Sequence, residues 1–290
     1  MRSASYLTGR KKCKSMRLFK PIRIVLILTV IISVFGCKKK DNAWTLIGNA
    51  GIEGKVYLFK VNVETERTLI DSTTVEKGKF TFKAINPSDH LTPYQFDFAR
   101  DNRGGFEFLI VNGERMKAMV SDSEEVLYSG TKICDAYNRY NSFRQREMKN
   151  MLDLKKVLSD TTINPDKMNE EMVIFNEKKQ DIENEKIDFL KSIENPELNS
   201  YLILRETIAS GVIEKEVYAK YIGALTPESS MTTNGHKLHE NYEVFDAYAL
   251  SREMDILDST TIRMRYEKLD ENNKNSDYAK QVLSYLKNMK

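Results

Sequence analysis

Apolar and polar residues alternate in short runs between Trp44 and Thr131. In the run KFTFKA, Phe80 and Phe82 lie on one face of an extended chain while the two lysines lie on the other. Short runs of this kind, separated by turn residues, are typical of an antiparallel sandwich or barrel. We expect an antiparallel β-sandwich domain over residues 44–131, with strands in the runs WTLIG, KVYLFKV, RTLIDSTTV, KFTFKA, YQFDF, FEFLIV, MKAMV and EVLYSG.

Two glycines predict tight turns between these strands. The dipeptide Asn112-Gly113 separates FEFLIV from ERMKAMV, and it is the strongest short-range signal for a hairpin with a type I′ turn. Gly78, in VEKGKF, predicts a slightly longer hairpin.

From residue 132 onward, apolar residues recur at helical spacing and glycines are few. A first helix is predicted from Lys132 to Leu158, with an apolar stripe of Ile133, Tyr137, Tyr140, Met151, Leu154 and Leu158. A second begins at Asn164 and Pro165 and carries a seam of Met168, Met172, Phe175, Lys179, Ile182, Lys186, Phe189 and Ile193. Lys179 and Lys186 interrupt this seam. We expect a long helical hairpin that opens an α-helical domain over residues 132–290, so the predicted fold class is α+β.

Further start and stop signals divide the rest of the chain into short helices. The predicted starts are Asn195-Pro196, Thr226-Pro227 and Ser276, and the predicted ends are Gly211 and Gly223. The core residues expected in this part are Tyr201, Leu202, Leu204, Tyr218 and Tyr221.

Residues 1–36 have the pattern of a signal peptide. The uncharged apolar core, Ile24 to Phe35, is shorter than the roughly 20 residues that cross a bilayer. The charged residues that precede it are all basic. Met16 offers a second start, because the sequence that follows it already makes a complete leader.

The end of this apolar run resembles the lipobox of bacterial lipoproteins. Val34, Gly36 and Cys37 match that pattern, whereas Phe35 is bulkier than usual. The resemblance implies cleavage before Cys37, acylation of its thiol, and a lipidated N-terminus and linker over residues 37–43. Because Lys38 stands where an aspartate would retain a lipoprotein in the inner membrane, it implies the periplasmic face of the outer membrane. An uncleaved signal anchor is the alternative.

Removal of the leader reverses the sign of the net charge. The chain holds 45 basic and 42 acidic residues, and eight of the basic ones lie in residues 1–36. The mature chain then has 37 basic residues against 42 acidic ones, a net charge of about −5. No basic patch points to nucleic acid as a partner.

Cysteine usage leaves a single thiol in the mature chain. Cys13 lies in the leader and Cys37 is the predicted acylation site, so Cys134 has no partner for an intrachain disulfide. Cys134 opens a predicted helix, whose dipole would lower the pKa of a reactive thiol. The alternative is a small buried apolar residue beside Ile133 and Tyr137.

Four stretches resemble envelope lipoproteins of Bacteroidetes type that begin with the domain of unknown function 4369. They are IDSTTVEKGKFTFKA, FEFLIVNGERMKAMV, SGTKICDAYNRYN and IENPELNSYLIL, and the resemblance covers residues 44–245. In that family a thioredoxin-like domain with a Cys-x-x-Cys pair usually follows. This chain has no such pair, and 45 residues follow Phe245. The resemblance therefore implies the accessory part of a thiol-disulfide interchange lipoprotein, lacking its thioredoxin-like domain.

Few residues point to chemistry. The segment GHKLHENYE would align His236, His239, Glu240 and Glu243 on one helix face as candidate zinc ligands, with a solvated turn as the alternative. His90 is expected in a surface loop, and Asp71-Ser72 would be a nucleophile only with partners that the sequence does not show. Met148, Met151, Met168 and Met172 are candidates for an adaptable binding surface, with solvated helix faces as the alternative.

The sequence favours a non-enzymatic lipoprotein of the outer membrane that binds or scaffolds an envelope component. We assign no catalytic residue and no cofactor, and the expected partners are the membrane and an envelope protein. The first alternative is an accessory partner of a thioredoxin-like thiol-disulfide exchange protein. The second is an enzyme acting on a small molecule or glycan.

Overall fold

Eight strands form two four-stranded sheets in the computed structural model, which describes residues 42–62, 66–98, 105–121, 125–159, 164–209 and 214–289. The predicted signal peptide, Cys37 and the linker up to residue 41 lie outside the described residues. Residues Ala43–Lys290 make up one compact unit of mixed α+β class. Its strands are β1 (Trp44–Ala50), β2 (Gly54–Val61), β3 (Arg67–Val75), β4 (Lys79–Ala84), β5 (Thr92–Phe98), β6 (Phe106–Ile110), β7 (Arg115–Val120) and β8 (Val126–Ser129).

Each strand falls on one of the predicted runs, because alternation of burial is a local property of an extended chain. Sheet A has the strand order β4-β1-β7-β8, and sheet B has the order β3-β2-β5-β6. Phe80 of sheet A and Phe96 of sheet B have ring centroids 5.2 Å apart. The Phe80 ring also occupies the space above Gly48, where a Cβ atom would lie 1.9 Å from its Cζ.

The prediction that the strands pair antiparallel is wrong for one pair. Strands β1 and β7 run parallel, with Thr45 opposite Arg115 and Ala50 opposite Val120. The alternation of apolar residues shows which face of a strand is buried, and this is the same for either direction of pairing. The direction was therefore not available from the pattern.

The predicted hairpin at Asn112-Gly113 is wrong, because β6 belongs to sheet B and β7 to sheet A. Only Gly113 has a positive φ, of 80°, whereas a type I′ turn needs two such residues. Asn112 instead binds the segment that follows β4. Its side-chain oxygen accepts the N–H of Asn86 at 2.7 Å, and its amide donates to the carbonyl oxygens of Asn86 and Ser88 at 3.2 Å.

The two-residue turn with two positive φ values is found at Lys77 and Gly78, with φ of 52° and 74°. The backbones of Glu76 and Lys79 exchange hydrogen bonds of 2.8 and 3.0 Å across it. The turn is therefore shorter than predicted, and it carries the chain from β3 in sheet B to β4 in sheet A.

Ten helices follow in the described residues after residue 133. They are α1 (Cys134–Ser159), α2 (Pro165–Lys191), α3 (Pro196–Ala209), α4 (Lys215–Ile222), α5 (Pro227–Ser230), α6 (Thr233–Glu243), α7 (Phe245–Glu253), α8 (Ser259–Glu267), α9 (Glu271–Asn275) and α10 (Asp277–Asn288). The predicted N-caps Asn164, Asn195, Thr226 and Ser276 each accept a backbone N–H, and Gly223 ends α4. Gly211 lies outside the described residues.

The apolar stripe of α1 is buried only over its first half. Tyr137 and Tyr140 are buried, but Met151 and Leu158 are 58% and 49% exposed, so the stripe was wrong at its far end. One continuous hydrophobic core contains side chains of both sheets and of α1 to α4, and it crosses the change from strands to helices after Ser129. The predicted core residues Tyr201, Leu202, Leu204, Tyr218 and Tyr221 belong to it.

Candidate functional site

Buried and partly buried charged residues and tyrosines from β6, α1, α2 and α3 come together in the fold. We call this set the junction cluster, and its members are Glu107, Tyr137, Tyr140, Glu147, Lys186, Tyr201, Arg205 and Glu206. Burial of a charge is costly unless the charge is paired and hydrogen-bonded. The pairing inside the cluster therefore decides whether it stabilises the fold or leaves a group available for chemistry.

Glu107 is the member contributed by sheet B. Its Oε1 accepts hydrogen bonds from the hydroxyls of Tyr201 at 2.9 Å and Tyr137 at 3.3 Å. Its Oε2 forms an ion pair with the guanidinium of Arg205 at 2.9 Å. Tyr201 and Arg205 are four residues apart on α3, so they lie on the same face of that helix. One carboxylate of β6 thus holds both α1 and α3 against the sheet.

Lys186 lies at the centre of the helical side of the cluster and is 2% exposed. Its Nζ contacts Glu206 Oε2 at 2.5 Å and Glu147 Oε1 at 2.6 Å. The other oxygen of Glu206 accepts the hydroxyl of Tyr140 at 2.5 Å. The sequence showed Lys186 only as a break in an apolar seam. A lysine in a core position requires a buried acid, and that requirement was the available signal.

The carboxylates of the junction cluster favour the protonated forms of its lysine and tyrosines. Burial alone would lower the pKa of Lys186, but the carboxylates of Glu206 and Glu147 offset this and the pKa is raised. Burial raises the pKa of Tyr140 and Tyr201 well above the ordinary value, and the neighbouring carboxylates raise it further. The ammonium and the phenols therefore remain protonated donors at neutral pH.

The buried polar side-chain atoms of the junction cluster have hydrogen-bond partners, with one exception. The exception is the Nε of Arg205, which is buried without a hydrogen-bond partner among the described residues. Two shallow clefts of about 390 and 340 Å³ lie beside α2, and neither is lined by Lys186 or Glu206. The arrangement holds helices on a sheet and leaves no base or nucleophile of the cluster facing either cleft.

Cys134 is the first residue of α1, as predicted, and its thiol is buried at 2% exposure. Its Sγ lies 3.2 Å from the Thr131 hydroxyl oxygen. Ile133 and Tyr137 are buried in the same core, which agrees with the interpretation of Cys134 as a small apolar residue. A second thiol could reach it only after local opening of the fold.

The candidate zinc ligands share a helix but enclose no site. Helix α6 carries His236, His239, Glu240 and Glu243, and all four are exposed. Within the described ranges, no group of three or more histidine, cysteine or acidic side chains is arranged to hold a metal ion. The helical spacing placed the four side chains on one helix, but spacing alone does not arrange three of them around a metal ion.

The Asp71-Ser72 pair lies on exposed positions of β3. The Asp71 carboxylate accepts the backbone N–H of Ser72 at 2.7 Å. The contact is therefore to the backbone and does not activate the serine hydroxyl.

The four methionines that were candidates for a binding surface differ in their exposure to solvent. Met148, Met151 and Met172 are 62%, 58% and 37% exposed, whereas Met168 is half-buried. Met148 and Met151 follow Glu147 on α1, and Met168 and Met172 lie near the start of α2.

His90 lies in an exposed loop, as predicted, but it has a specific partner. Its Nδ1 is 2.6 Å from Glu197 Oε1, and Glu197 Oε2 accepts the backbone N–H of Leu91 at 2.6 Å. Glu197 lies in the first turn of α3, so these contacts fasten the loop between β4 and β5 to that helix. The hydrogen bond to Glu197 raises the pKa of His90, and the charge of the carboxylate adds to this effect.

We expect the His90–Glu197 contact to weaken as the pH rises. Because the pKa is raised in the folded state, the contact contributes fully below the unfolded value of about 6.5 and is lost above the folded pKa. An NMR titration should show the pKa of His90 falling in Glu197→Gln, with His236 signals as the internal control. An unchanged titration of His90 in Glu197→Gln would contradict this assignment.

Comparison of the chain with protein-family models, with curated proteins and with solved structures finds no match. Among the helices of the described residues, none combines the length and the apolar character that crossing a bilayer requires.

Proposed function

We propose that the protein is a lipoprotein of the bacterial cell envelope, held through acylated Cys37 at the periplasmic face of the outer membrane. It binds or scaffolds an envelope component without catalysing a reaction. The observation that carries this proposal is the short apolar run that ends in VFGC and is preceded by basic but no acidic residues. The folded unit begins at Ala43, six residues after that cysteine.

The proposed architecture is a β-sandwich followed by a long helical hairpin. The contact between the rings of Phe80 and Phe96, one from each sheet, supports the sandwich. The hairpin of α1 and α2 is supported by the ion pair of Arg146 with Glu185 at 2.6 Å. The amide of Asn150, which donates to the carbonyl oxygen of Phe175 at 3.2 Å, supports it as well.

The non-enzymatic part of the proposal is supported by how the buried polar groups are used. Each charged side chain of the junction cluster is paired with a group of opposite charge in the cluster, and the thiol of Cys134 is buried in the core. An accessory role beside a thioredoxin-like protein would have to use the outer surface, because that thiol is out of reach. Function is therefore assigned to the surfaces of the sheets and helices.

Acylation at Cys37 is the test of this proposal. Metabolic labelling with a fatty acid should label the parent protein, and Cys37→Ser should abolish the label because no thioether can form. The matched controls are Cys13→Ser and Cys134→Ala, which should retain the label in full. A Cys37→Ser protein labelled as strongly as the parent would overturn the anchor.

A further inference from the structure

We propose that the outer face of sheet A rests on the anionic phospholipid surface to which the chain is tethered. The proposal rests on the anchor at Cys37 described above and assigns a use to one surface of the folded unit. The outer face is the layer of side chains that point away from the core, and the arguments for it are charge, register, apolar exposure and tether length.

The charge of sheet A is one-sided. Its four strands contain four basic residues and no acidic residue, and the basic ones are Lys79, Lys83, Arg115 and Lys117. The strands of sheet B contain three basic and three acidic residues, so a cationic sheet is not a general property of the chain. A cationic surface attracts anionic lipid headgroups.

The register places these four cations on one face. All four are exposed, because each alternates with a buried neighbour along its strand. Strand β1 lies between β4 and β7, so Thr45 is opposite both Lys83 and Arg115, and Ile47 is opposite Lys117. The cations therefore form one column on each side of β1.

Among the described residues, Glu76, Glu114 and Glu125 precede strands β4, β7 and β8, and the carboxylate of Glu114 contacts the backbone. Glu114 precedes Arg115, but its Oε2 accepts the backbone N–H of Val111 at 3.2 Å. The contact ties this carboxylate to the turn between the two sheets.

Two large apolar side chains complete the face. Met119 and Leu127 are 62% and 61% exposed, and they lie directly opposite each other on β7 and β8. Apolar side chains beside cations suit the boundary between headgroups and acyl chains, where amphipathic surfaces bind.

The tether brings this sheet to the membrane. Trp44, the first residue of β1, follows Cys37 by seven positions, so an extended linker spans at most about 25 Å. The linker itself carries Lys38, Lys39 and Lys40 against one acid. Lys83 and Arg115 flank Thr45 at the tethered end of β1, so the sheet meets the lipid surface at high effective concentration.

The test places an environment-sensitive fluorophore on either sheet of the full chain carrying Cys134→Ala. One protein has Met119→Cys on sheet A, and the matched control has Leu69→Cys on sheet B, where Leu69 is similarly exposed at 57%. Each is inserted into vesicles of phosphatidylcholine with or without phosphatidylglycerol, with a quencher attached to the lipid. We expect at least threefold stronger quenching at residue 119 than at residue 69 in the anionic vesicles.

Substitution of Lys79, Lys83 and Lys117 by glutamine should reduce the quenching at residue 119 at least threefold, and 1 M salt should do the same because charges are then screened. Equal quenching at the two sites, or the same quenching at residue 119 with and without phosphatidylglycerol, would overturn the proposal.

Mass spectrometry of the same preparation reports acylation of Cys37 separately. An acylated protein with equal probe responses overturns the sheet proposal and leaves the anchor standing. If the protein is unacylated, the measurement is repeated with Cys13→Ser and Cys37→Ser added, so that residue 119 carries the only probe, and a response to anionic vesicles then contradicts the anchor and supports the sheet. An unacylated protein with equal responses overturns both.

Discussion

Replacement of Lys186 by methionine is expected to lower the free energy of unfolding by about 3–5 kcal/mol. The methionine fills a similar volume, so packing changes little. The loss arises because the carboxylate of Glu206, 7% exposed, stays buried but loses the ammonium that lies 2.5 Å from its Oε2. Urea unfolding followed by circular dichroism measures the change.

Lys179→Met is the matched control, since Lys179 lies one heptad earlier on α2 and is exposed. Its effect should stay within about 0.5 kcal/mol. The double variant Lys186→Met/Glu206→Leu should be less destabilised than the sum of its parts, because the buried ammonium and the buried carboxylate are removed together. Glu147, which also loses its lysine, has a side chain that is 36% exposed. Equal stability of Lys186→Met and Lys179→Met would contradict the role assigned to the buried ammonium.

Replacement of Glu107 by leucine is expected to cost about 3 kcal/mol and to loosen the helices from sheet B. The guanidinium of Arg205 and the hydroxyls of Tyr137 and Tyr201 lose their shared acceptor. Arg205 and Glu206 are adjacent on α3, so Glu107 also steadies the residue that binds Lys186. Limited proteolysis in the segment between β8 and α1 should accelerate together with the loss measured in urea.

Asp97→Asn provides the comparison on the neighbouring strand β5. It removes the acid of the pair Arg67–Asp97, whose arginine is 34% exposed, so the cost should be at most about 1 kcal/mol. Glu107→Gln should lie between the two, because the amide oxygen still accepts from the tyrosines. A Glu107→Leu protein as stable and as resistant to protease as Asp97→Asn would show that the junction does not depend on this carboxylate.

The sequence by itself determined the positions of the strands and the starts of the helices. Both depend on near neighbours, through alternation in runs such as KFTFKA and through caps such as Asn164 and Thr226, which bind an N–H three residues away. The exposed positions of His236 and His239 and the buried position of Cys134 were also among the interpretations that local spacing offered.

The tertiary structure alone decided which elements meet. Alternation shows which face of β1 is buried, but not that β7 lies parallel beside it or that Asn112-Gly113 joins two sheets. Lys186 is separated by 39 residues from Glu147 and by 20 from Glu206, so its burial became interpretable only once α1, α2 and α3 were together. The same holds for the basic residues of β4 and β7, which form one face because β1 pairs with both strands. Local patterns specify the conformation of a segment, whereas the partners of a charge or a strand depend on contacts between distant residues.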